Sequence, residues 1–121
     1  MRRLAVPVVI AALLFAGAAQ AMSVSEFLTT ADGIPRNPAA LLRADTRRLM
    51  GEVRGAFATV RTEQTAARAA GRTPASCMPE QVRLSPEEIL GRFRAIPQAR
   101  RSISVTQAVR EWMAERYPCN G

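Results

Sequence analysis

A chain of 121 residues has room for one modest core and not for two, and this one contains neither histidine nor lysine. Those absences exclude Ser-His, Cys-His and Ser-Lys nucleophiles, Schiff-base lysines and histidine metal cages. All seventeen basic residues are arginines, set against ten acids and without interleaved aromatics, so the positive excess fits solvated faces and an acidic partner or anionic surface better than nucleic acid.

The chain opens on Met1-Arg2-Arg3, an almost wholly apolar run from Leu4 to Ala19, and the small-x-small step Ala19-Gln20-Ala21. That order is the pattern of a secretory signal peptide over residues 1–21, cleaved to expose Met22. The apolar run is shorter than the ~20 residues a membrane-crossing helix needs, so the expected product is periplasmic, has no membrane span after cleavage, and folds as one domain over residues 22–121. It keeps fifteen arginines against ten acids. In an oxidising compartment Cys77 and Cys119 are expected to form a structural disulfide, worth about 4 kcal/mol for a loop of this length.

Ser23-Val24-Ser25-Glu26 has the form of a capping box and predicts a short helix to about Ala31, broken by Asp32-Gly33-Ile34-Pro35. Asn37-Pro38 then offers an N-cap with proline in the first turn, and a long helix is expected from Pro38 to about Ala70, with Gly71 as its left-handed stop. On a helical wheel Leu42, Leu49, Val53, Phe57, Val60 and Ala67 gather on the side expected to face the core. Arg47, Arg54, Arg61 and Arg68, seven residues apart, form one edge, and Asp45, Glu52 and Glu63 form the other. Arginines in such a row ordinarily lay their stems on the core margin and keep their heads in water. The back carries small residues, among them Ala44, Gly51, Gly55, Ala58 and Thr62. Each glycine costs about 1 kcal/mol in a helix, so Gly51 and Gly55 are assigned to helix packing, where another backbone approaches closely.

Residues 72–84 form a loop around Cys77. Ser85-Pro86-Glu87-Glu88 starts a third helix whose inner side is Ile89, Leu90, Phe93 and Ile96, and Pro97 ends it. After a polar turn, Ser104 caps a last helix with Val105, Ala108, Val109, Trp112 and Met113 inside, and Tyr117-Pro118 returns Cys119 to Cys77. No segment alternates with period two. The expected fold is all-α, a small bundle of about four helices with one long helix, closed by one disulfide. The remaining carboxylate pairs, Glu87 with Glu88 and Glu111 with Glu115, sit where helix starts and surfaces commonly carry acids. A binding protein with no catalytic residue, cofactor or metal is therefore expected. Its partner-binding candidates are Arg100 and Arg101, at the tip of the turn from Gln98 to Ser104, because paired guanidinium groups can fork onto carboxylates.

Cys77-Met78-Pro79, the capped helix with Leu90, the Pro97 turn, and a helix containing Ala108 and ending Tyr117-Pro118-Cys119 together resemble the Rap/Tai-type immunity proteins. These are periplasmic helical proteins that neutralise peptidoglycan amidases delivered by type VI secretion. Upstream, Gly51-Glu52-Val53-Arg54-Gly55 is similar to the family's Gly-aromatic-aliphatic-x-Gly segment, with Glu52 in place of the aromatic. The resemblance implies a binding protein, often a homodimer, without catalytic groups, whose partner is a secreted cell-wall amidase. Two other classes fit export and a disulfide-closed helical scaffold: a small periplasmic stress chaperone that exposes apolar surface as acids are protonated, and an envelope-associated structural protein held by its basic edge to anionic polymer.

Overall fold

Serine hydroxyls start three of the four α-helices in the computed structural model, which describes residues 21–120; the leader expected over residues 1–21 lies almost entirely outside the described residues, as does Gly121. Ser23 accepts from the Glu26 amide at 3.0 Å, Ser85 from Glu88 at 3.1 Å and Ser104 from Gln107 at 3.0 Å. Each satisfies an orphan amide and contributes about 1 kcal/mol. They open α1 (Val24–Asp32), α3 (Pro86–Arg94) and α4 (Val105–Arg116), while α2 is the long helix, Ala44–Ala69. The fold is all-α among the described residues and is closed by the disulfide Cys77–Cys119.

The long helix does not begin at Pro38. Pro38–Leu42 is a 3-10 turn, and Arg43 then takes an extended conformation (φ −76°, ψ 142°) before α2 starts. The Asn37 side chain makes no capping bond, and Leu41 and Leu42 are 68% and 80% exposed. A helix this close to its costly first turn persists only where packing supports it, and here nothing does. Leu42 is thus removed from the expected core, whose α2 contribution begins at Leu49. The other end follows expectation. Gly71 has φ 73°, its amide donates to Arg68 and that of Arg72 to Ala67, the two bonds of a Schellman stop.

α4 and α1 lie against the inner side of α2, and α3 packs on α1. Phe93 is fully buried and meets Phe27 edge to face, ring centroids 5.1 Å apart; Val24, Val105, Val109 and Met113 fill the space around them. Met22 is buried as well. Its carbonyl accepts from the Val105 amide, Ile103 O accepts from Val24, and Arg101 O accepts from Ser25, so the entries to α1 and α4 are stitched together by a single antiparallel bridge.

One buried polar side chain fixes the loop. Gln64, on the inner side of α2, accepts from the Met78 amide at 2.8 Å and donates to the Met78 carbonyl at 3.2 Å, satisfying a loop backbone that has no other partner there. This holds Met78 in the core and sets Cys77 beside Cys119, with Cα atoms 5.1 Å apart. Gln64→Leu leaves both backbone groups of Met78 buried and unpaired, and is expected to cost about 2 kcal/mol. Denaturant unfolding checks this, as a lowered midpoint at constant slope. Among the described residues no helix is long and apolar enough to cross a membrane.

Candidate functional site

The turn expected to present Arg100 and Arg101 exists as a second 3-10 turn, Gln98–Arg100, yet neither guanidinium projects freely from it. Arg101 folds back under α3. Its Nε donates to Ile96 O and its Nη2 to Arg94 O, each at 2.9 Å, so it neutralises carbonyls left unpaired at that helix end. Arg100 Nη2 stands 3.0 Å from both oxygens of Glu111, which also accepts from Gln107 Nε2. The two arginines clasp the α3–α4 connection, a role the sequence signalled only through the carbonyls that Pro97 leaves behind.

The acids are organised in the same way. Hydrogen bonds from Gln107 and then Arg100 hold the Glu111 carboxyl below the usual carboxylate range, and the Arg92 bond, 2.6 Å long, does so for Glu115. Arg110 donates Nε and Nη2 to the two oxygens of Glu63, each at 2.8 Å, lowering the glutamate, raising the arginine and tying α4 to α2. Glu88 lies 3.9 Å from Arg116. The shallow hollow of about 350 Å³ between these groups is lined by Arg92, Trp112, Glu115 and Arg116; Arg92 already covers the Trp112 ring at 6.0 Å. The described residues contain no cluster of three or more His, Cys, Asp or Glu that could hold a metal.

Seven arginines of the described residues have a carboxylate within 4.0 Å: Arg43, Arg48, Arg92, Arg94, Arg100, Arg110 and Arg116. None belongs to the seven-residue row of α2. Among the described residues Arg47, Arg54, Arg61 and Arg68 have no acid that close; they stand beside the small residues of the outer face, Arg61 half-buried and the other three exposed. No protein-family model, no curated protein and no solved structure matches this chain.

Gly51 and Gly55 lie on that outer face. A Cβ built at either meets nothing within 4 Å, so among the described residues no other element packs against them and the expected helix packing is not made there. The inner side of α2 packs on α4 and α1, and among the described residues its back is exposed. The same face carries a shallow groove of about 490 Å³ lined by Ala58, Arg61, Thr62, Thr65, Ala66 and Ala69. With no neighbour to displace, Gly55→Ala is expected to raise stability by about 1 kcal/mol, readable as a higher melting temperature; a loss would restore the packing role.

Proposed function

We propose that this protein is an exported binding protein that neutralises a peptidoglycan amidase in the periplasm, in the manner of the Rap/Tai-type immunity proteins it resembles. The observation that carries this reading is the meeting of the two most specific pieces of that resemblance. Cys77-Met78-Pro79 and Tyr117-Pro118-Cys119 join through the disulfide and through a 2.8 Å bond from the Cys77 amide to the Tyr117 carbonyl. Arg92, Arg100, Arg110 and Arg116 form ion pairs that brace the helices joined by that disulfide. A disulfide suits an oxidising compartment and supports export.

The test is protection. Cells that produce a type VI-delivered cell-wall amidase of the same genome in their periplasm lyse; co-production of the exported protein is expected to prevent lysis, and residues 22–121 made without a leader are expected not to. Lysis unchanged by the exported form overturns the proposal.

A further inference from the structure

The outer face of α2 joins two features that the fold itself does not use. Its four arginines at seven-residue spacing form a row about 32 Å long that drifts by only about 20° per step. Beside the row runs a strip in which no side chain exceeds threonine, from Gly51 and Gly55 to Ala58, Thr62 and Ala66. The acids of the helix are on the opposite flank, and two of them, Asp45 and Glu63, are already paired. The four arginines of the row are therefore without an internal counter-ion among the described residues, while Arg48, at the N-terminal end of the strip, is paired with Glu26.

We propose that this face docks an acidic helix of a different protein. Small side chains allow two helix axes to approach to about 8 Å, and a helix laid along α2 at a shallow angle presents one position per heptad to the arginine row. A carboxylate at that position meets each arginine in turn. The face is a poor membrane anchor, since Met50 is the one exposed large apolar side chain that α2 offers, while Leu41 and Leu42 belong to the preceding 3-10 turn. Insertion into lipid needs a broad apolar face. A second copy laid antiparallel sets arginine against arginine, so the charge of this face is answered better by an acidic helix of another protein.

This inference deepens the binding-protein reading, on which it rests, but its test contains no amidase, so the two can fail separately. The probe is a synthetic helical peptide of about 28 residues with one glutamate per heptad flanked by alanine, compared with a scrambled peptide of the same composition and with phosphatidylglycerol vesicles. The purified exported protein is expected to bind the helical peptide, with amide shifts along α2. Arg54→Glu combined with Arg61→Glu is expected to weaken binding about tenfold or more, while leaving the melting temperature unchanged because neither arginine has an internal acid partner. Weaker binding to the scrambled peptide and to vesicles completes the expected result. Equal binding to either, no binding of the helical peptide, or undiminished binding by the double variant overturns the proposal.

Discussion

Replacing Cys119 with alanine is expected to lower the free energy of unfolding by about 4 kcal/mol. The bond joins residues 42 apart and spans α3, its turn and α4, so without it the unfolded chain regains a large loop's freedom. The native state is also weakened locally. The loop around Cys77 is irregular, and apart from the disulfide it is held by the Cys77 to Tyr117 bond and by Gln64 on Met78. Reduced wild-type protein should coincide with the Cys119→Ala variant in a urea titration, both well below the oxidised protein. Coincidence of all three curves would show that packing alone holds the loop.

Phe93→Ala is expected to cost about 3–5 kcal/mol. Phe93 is the only residue of α3 that is fully buried, so its ring is the deepest anchor of this nine-residue helix. The edge-to-face contact with Phe27 adds about 0.5–1.5 kcal/mol beyond area burial. The other ties of α3 are Ile89 and Leu90, partly buried against the same core, the Arg101 bond to the Arg94 carbonyl, and the ion pairs of Arg94 with Asp32 and Arg92 with Glu115, which contribute little. Because the rings share one contact, Phe27→Ala with Phe93→Ala should cost less than the two single changes added together. A Phe93→Ala loss below about 1 kcal/mol in chemical denaturation would mean that α3 is held by something other than this ring.

Three serine caps and one glycine stop were legible because local chemistry decides them. Ser23, Ser85 and Ser104 cap because their hydroxyls reach amides three residues on, and Gly71 stops α2 because only glycine takes φ 73° without strain. The inner side of α4, from Val105 to Met113, follows the apolar period. What the period misses is what only the assembled fold decides. Leu42 falls in phase with Leu49, but no element lies over it. Gln64 sits four residues after Val60 and three before Ala67, on the buried stripe, yet a reading of apolar residues alone passes over a polar one; its position on that stripe was the available signal. Met22 was legible as a cleavage product and not as a core residue, because its burial depends on a bridge to residues more than eighty positions away.

The same division holds for the candidate surface. The spacing of Arg47, Arg54, Arg61 and Arg68 is plain in the sequence, but whether each meets an acid depends on where other helices place theirs, and they place them elsewhere. Arg100 and Arg101 show the reverse case, conspicuous in the sequence and consumed by the fold through Glu111 and the carbonyls of Arg94 and Ile96.

Titration of a purified peptidoglycan amidase from the same genome with the oxidised exported protein, following cleavage of peptidoglycan peptides, tests the functional account most directly. Cleavage is expected to fall to zero at a fixed stoichiometry, and the amidase to be recovered intact when the complex is separated. Cleavage that continues at the same rate with the protein in large excess would contradict it.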